Sequence, residues 1–206
     1  MDHTPEETIT ASDALRRLIE GNARYRAGLS RFTGMRPEML EELAHGQQPF
    51  ATILGCADSR VPPELIFDAV LGELFVVRVA GNVMSPEVAG SLQYAGAHLD
   101  TPLFVVFGHE GCGAVKAALE SSRHGVQHRS RIQHLVDAIV PALEGIDQSL
   151  APQDQLAHAV EANVRWTMRQ IAESPEGRAR LADGRMMLVG AIYDLATGAV
   201  RLLDPS

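Results

Sequence analysis

Phe50-Ala51-Thr52-Ile53-Leu54-Gly55-Cys56-Ala57-Asp58-Ser59-Arg60 joins an apolar run, read as a buried strand, to a polar segment dense in reactive groups. In extended chain, residues two apart point the same way, so Cys56, Asp58 and Arg60 can project to one side of the strand end. Thiolate, carboxylate and guanidinium then share one small volume. A second junction of the same kind follows: the run Leu103 to Phe107 leads into Gly108-His109-Glu110-Gly111-Cys112-Gly113. Its glycines permit a sharp turn, and a first helical turn brings His109 and Cys112, three apart, onto one face. The positive end of that helix favours a thiolate at Cys112.

Cys56 and Cys112 are the only cysteines in 206 residues. With His109 they make a Cys2His set, which holds zinc and leaves a fourth position open for water or substrate. Asp58 can fill that position or stand beside it. A disulfide, or two unrelated buried thiols, is the competing reading, but neither accounts for the Asp-Ser-Arg and His-x-x-Cys contexts.

Strands and helices alternate along the rest of the chain. Phe50 to Leu54, Leu74 to Val79, Leu103 to Phe107 and Met186 to Ile192 read as strands, with Ala199 to Leu203 as a final antiparallel edge. Helices are expected over Ser12 to Ala27, Pro86 to Leu99, Cys112 to Ser121, Ser130 to Glu144 and Gln153 to Glu173, with turns at Gly184 and at Thr197-Gly198. The expected fold class is α/β, a single domain with a mostly parallel central sheet flanked by helices. Residues 1–45 form an amino-terminal helical arm and 46–206 a zinc-binding α/β core. In the first helix Ser12 or Asp13 is the expected cap, and Ala14, Leu15, Leu18, Ile19 and Tyr25 make an apolar face to be buried on this domain or on a neighbouring subunit. Both reactive junctions lie where strands end, where open α/β sheets carry their chemistry.

Composition narrows the partners. A net charge of −8 with acids and bases interspersed argues against nucleic acid. The acidic start Met1-Asp2-His3-Thr4-Pro5-Glu6-Glu7 does not read as a secretory signal, and no apolar run reaches membrane-spanning length. Reduced cysteines kept as metal ligands suit the cytoplasm.

Three segments, Gly55 to Pro62, Gly72 to Asn82 and Gly108 to Gly113, resemble the β-class carbonic anhydrases in content and in order. The resemblance is strongest from Gln47 to Lys116. It implies zinc on Cys56, His109 and Cys112, and reversible hydration of carbon dioxide to bicarbonate by zinc-bound hydroxide. Two thiolates and a neutral imidazole leave zinc without net charge, so a further group must help activate water. Asp58 is that group, accepting a hydrogen bond and orienting the nucleophile, while Arg60 holds it off the metal through a bidentate pair. In a closed state Asp58 would itself ligate zinc. The resemblance also implies that Gln47 and the Gly113 backbone contact substrate, and that Phe75 and Tyr94 wall a pocket shared across a dimer. Gly113 could equally serve the helix entry, and Phe75 and Tyr94 ordinary packing. A homodimer or dimer of dimers is implied, with the amino-terminal helix embracing the partner.

Some members of that family switch between open and Asp-ligated forms. Ile53 stands where some switching members carry tryptophan, which argues for the open type; Arg78 matches an arginine of their inhibitory bicarbonate site. Ser59 has no histidine base beside it and no nucleophile elbow, so it reads as a turn residue. His98, His124, His128 and His134 offer no single proton shuttle. Two alternatives stay open: hydrolysis of carbonyl sulfide or carbon disulfide on the same scaffold, and a non-catalytic zinc or bicarbonate module.

Overall fold

Four of the apolar runs pair side by side and in parallel. In a computed structural model, which describes residues 9–31 and 37–204, they form β1 (Ala51–Gly55), β2 (Leu74–Arg78), β3 (Leu103–His109) and β4 (Met187–Tyr193). A fifth strand, β5 (Val200–Leu202), runs antiparallel to β4, and the order across the sheet is β2-β1-β3-β4-β5. The acidic start discussed above lies outside the described residues. Central β1 and β3 are buried along their whole length, as parallel strands covered on both faces must be. β2 is an edge and only half-buried.

Register fixes where the reactive junctions fall. Ala51 pairs with Leu74 on one side and with Leu103 on the other, so Gly55 lies between Arg78 and Phe107. The chain leaves β1 through α3 (Pro63–Ile66) toward β2, but leaves β3 through α5 (Gly113–His124) toward β4. The carboxyl ends of β1 and β3 therefore flank a topological switch point, where the two departing connections open a crevice.

The remaining helices cover the sheet. α1 (Ala11–Arg26) packs with α3 against β1 and β3, while α7 (Pro152–Glu173) packs against β3 and β4. α4 (Pro86–His98) lies against β2, and α6 (Arg131–Ile139) packs on α5 and continues into a 3₁₀ turn, Val140–Leu143. Two short helices escape the sequence reading besides α3: α2 (Pro37–Ala44), and α8 (Pro175–Ala182), which Ser174 caps by accepting from Gly177 N at 3.0 Å. His128 lies in the loop before α6. None of these helices is long and apolar enough to cross a membrane.

α1 corrects two expectations. Its cap is Thr10, not Ser12 or Asp13: the Thr10 hydroxyl accepts from Asp13 N at 3.1 Å and donates to Asp13 Oδ2 at 2.6 Å. An extended residue with a hydroxyl satisfies a free first-turn N–H, and Ser12 and Asp13 are already helical. The buried face is Ala14, Leu18, Gly21 and Asn22, leaving Ile19 51% and Tyr25 37% exposed. The stripe is rotated because Asn22, polar by type, makes the deepest attachment. Its amide donates to Ile66 O at 3.2 Å and Gly198 O at 2.9 Å and accepts from Val200 N at 3.1 Å.

A buried carboxylate completes the docking of this helix. The Asp68 side chain is 1% exposed and receives Arg24 Nε at 2.6 Å, Ser30 Oγ at 2.7 Å and Arg31 N at 2.8 Å. Burial alone would push the Asp68 carboxyl up; the donors from Arg24, Ser30 and Arg31 outweigh it and hold the carboxyl below its ordinary value. A depressed folded-state pKa adds stability above the unfolded value of about 3.9, which is lost as pH falls below it. Asp68→Asn is expected to cost about 3 kcal/mol at neutral pH by leaving Arg24 without its carboxylate. In urea unfolding from about pH 7 down to pH 3 the gap to wild type should hold to about pH 4 and then narrow as acid removes the wild-type advantage. A pH-independent gap would assign the loss to packing.

Candidate metal centre

Cys56 is the first residue beyond β1, His109 the last of β3, and Cys112 the cap of α5. All three are buried, and their ligand atoms lie within 4.8 Å of one another. The two Sγ atoms are 3.9 Å apart. That is far beyond a disulfide bond of about 2.05 Å. It matches the edge of about 3.8 Å that Zn–S bonds of 2.3 Å span in a tetrahedron. The disulfide reading is thereby removed: both cysteines are free.

His109 is oriented for the same task. Its Nδ1 lies 2.9 Å from Glu110 O, a carbonyl that can only accept, so Nδ1 carries the proton and Nε2 presents a lone pair. Nε2 is buried with no hydrogen-bond partner. An orphaned imidazole nitrogen facing two sulfurs is a donor set that a thiophilic cation satisfies.

The two sulfurs shift each other in opposite directions. The hydrogen bond from Cys112 holds Cys56 below its ordinary value, outweighing burial, with help from the Gly81 N–H. Cys112 is pushed up, first by that same hydrogen bond and then by burial and the neighbouring Cys56 charge. A second thiolate in this buried space calls for a cation, so metal binding here expels a proton.

Asp58 and Arg60 stand at the mouth of the cluster. Arg60 Nε and Nη2 reach Asp58 Oδ1 and Oδ2 at 2.9 and 2.8 Å, and Arg60 N adds a third bond to Oδ1 at 3.0 Å. The Arg60 side chain thereby holds the Asp58 carboxyl well below the usual carboxylate range. Asp58 Oδ2 is 3.9 Å from His109 Nε2, adjacent to the three ligand atoms without being one of them. Arg78 fixes the loop from below, donating to Cys56 O at 3.0 Å and to Asp58 O at 2.6 Å.

The other expected site residues are arranged less simply. Gln47 is exposed on the loop before β1. Phe75 pairs in register with Thr52, four residues before Cys56, hence about 13 Å back along the sheet at 3.3 Å per residue. It stacks on Tyr94, centroids 6.1 Å apart, and Tyr94 on His98 at 4.9 Å. Tyr94 is 48% exposed. Within one chain, then, neither ring is at the metal cluster. Gly113 opens α5 with ordinary backbone angles; the residue that needs glycine for the tight entry is Gly111, at φ 65°. Sequence reasoning missed the Gly81 N–H, which donates to Cys56 Sγ at 3.3 Å. Its signal was the Gly-Asn pair just beyond β2.

A buried Cys2His triangle at the switch point of a mostly parallel sheet marks an α/β protein with a donor set that could hold a metal ion. The carbonic anhydrase family model matches residues 51–200. Carbonic anhydrase 2 of Mycobacterium tuberculosis is 38% identical over 195 residues, covering 93% of this chain and 92% of that protein. The carbonic anhydrase of Mycolicibacterium smegmatis is 38% identical over 192 residues, with 92% and 91% covered. Among solved structures, the β-carbonic anhydrase CcaA superposes with a TM-score of 0.73 at 29% identity, covering 92% of this chain and 95% of that one. The Coccomyxa β-carbonic anhydrase, solved with acetazolamide, gives 0.71 at 28% identity, with 92% and 86% covered. The chain belongs to the carbonic anhydrase family, in its β class. It is an enzyme of carbon dioxide hydration.

Proposed function

We propose that this chain hydrates carbon dioxide at a zinc ion held by Cys56 Sγ, His109 Nε2 and Cys112 Sγ. The observation that carries this reading is the triangle of ligand atoms within 4.8 Å, with the Arg60-bound carboxylate of Asp58 beside it. Zinc supplies Lewis acidity that brings the pKa of a water into the physiological range. Asp58 Oδ2 accepts a hydrogen bond from the attacking water and fixes its direction. Arg60 keeps that carboxylate ionised and withdrawn, which favours the open form. Gly113, exposed and without a side chain, offers its backbone to substrate, and Gln47 an amide donor.

Phe75 and Tyr94 serve as an apolar wall only if a second copy brings them to the cluster, which is the reason to propose a dimer. A relative from Sordaria macrospora, at 22% identity, is described as tetrameric. The arm, residues 1–45, and the core, residues 46–206, then divide assembly from chemistry. Free buried cysteines are consistent with a cytoplasmic setting.

Stopped-flow hydration from about pH 6.5 to 9, on protein whose zinc is quantified, tests the proposal. About one zinc per chain and activity across the whole range is the expected result. Stoichiometric zinc with no hydration would move the assignment to carbonyl sulfide or carbon disulfide.

A further inference from the structure

Beyond β2 the chain makes a tight turn, Ala80–Asn82, with two successive residues in the left-handed region. Gly81 has φ 71° and Asn82, not a glycine, has φ 44°. Asparagine is the side-chain-bearing residue that accepts this region most readily, so both positions suit the turn. The turn is also tightly enclosed: a Cβ on Gly81 would lie 2.8 Å from Ile139 Cδ1 and 3.0 Å from Ala114 Cβ. Its product is one amide aimed at the metal cluster, the Gly81 N–H on Cys56 Sγ at 3.3 Å.

Two polar side chains on α7 grip this turn. Asn163 Nδ2 donates to Gly81 O at 2.8 Å and Thr167 Oγ1 to Asn82 O at 3.3 Å. Each residue is 1% exposed, and at a spacing of four they share one helix face. The grip is poor as a source of stability. Asn163 Oδ1 and Asn82 Nδ2 are both buried with no hydrogen-bond partner, and an amide desolvated for a single bond gains little over an apolar residue. Exchanging the oxygen and nitrogen of Asn163 would set two acceptors against each other, so the donor faces Gly81 O. What the arrangement does secure is position: the two peptides that follow the Gly81 N–H are tied to α7 through Gly81 O and Asn82 O, which anchors the turn that presents this N–H to the sulfur.

We propose that Asn163 and Thr167 are positioning residues of the metal centre, holding the Gly81–Asn82 turn so that its amide supports the Cys56 thiolate as a zinc ligand. The inference rests on the Cys2His reading above. Outer partners of metal ligands are worth about 10–100-fold in metal affinity. The test is zinc affinity by chelator competition on the full chain, beside urea unfolding of the same samples. Asn163→Leu should weaken zinc binding by about 10–100-fold. Ile171→Ala, a destabilising change on the same helix remote from the turn, should leave zinc affinity within about twofold. Thr167→Val, which removes only the hydroxyl, should weaken zinc severalfold and serves as the deciding variant should Asn163→Leu not fold. Wild-type affinity in Asn163→Leu, or in Thr167→Val when it alone is folded, overturns the proposal. So does an Ile171→Ala loss equal to that of Asn163→Leu. A wild type that retains no zinc overturns the Cys2His reading and this inference with it.

Discussion

Serine in place of Cys112 is expected to strip the protein of zinc and to reduce carbon dioxide hydration by about a thousand-fold or more, because the metal's acidification of water is lost with it. The substitution is nearly isosteric, so the fold should survive. Cys112 caps α5, where the backbone N–H groups of Ala114 and Val115 favour a charged sulfur. A serine hydroxyl has no comparable tendency to ionise, and its shorter bond to Cβ draws the donor atom away from Cys56 Sγ and His109 Nε2. Two donors then remain where three converged, and zinc in a two-donor buried site exchanges readily with chelators. Metal analysis after dialysis, circular dichroism and stopped-flow hydration on one preparation would check this. A serine variant with full zinc and near-native hydration would place the chemistry away from this cluster.

Much of this site was legible in the sequence because its parts are local. Cys56, Asp58 and Arg60 sit within five residues, His109 and Cys112 within four, and each group follows a strand whose apolar run is unmistakable. What joins the two groups is the parallel pairing of β1 with β3; a mostly parallel sheet was readable from the alternating strands and helices, but the order that makes these two strands neighbours was not. The supports were not legible. Arg78 reaches Cys56 O and Asp58 O from the neighbouring strand, and Asn163 reaches Gly81 O across 82 residues of sequence. Nothing in a helical heptad marks one buried asparagine as a clamp on a distant turn. The same holds for α1: Asn22 lies outside the apolar face expected from the sequence, yet its amide is fixed by backbone groups 44 to 178 residues away, and Ile19 is left exposed. Pro-initiated α3 and α8 are too short for periodicity to register.

Removing either member of the Asp58–Arg60 pair should be costly, and by different routes. Asp58→Ala takes away the acceptor that directs the attacking water; a loss of about 100-fold or more in kcat/KM, with zinc retained, is expected for a general acid–base group. Arg60→Ala leaves the carboxylate in place but frees it. Asp58 Oδ2 is already 3.9 Å from His109 Nε2, so without its bidentate anchor it can close onto the metal position and exclude water. Arg60→Ala should therefore be impaired most near neutral pH and recover toward alkaline pH, where hydroxide competes better with a carboxylate ligand. Wild type should show no acid limb from Asp58 between about pH 6.5 and 9. The sign follows from the Arg60 hydrogen bonds: they depress the Asp58 pKa, so the group stays ionised down to pH values far below that window. Two residues acting as one unit also make the double variant diagnostic. Asp58→Ala with Arg60→Ala should be no worse than Asp58→Ala alone, since Arg60 has no carboxylate left to restrain. Fully additive losses, or an Arg60→Ala profile parallel to wild type at every pH, would separate the two side chains and assign Arg60 to the substrate instead.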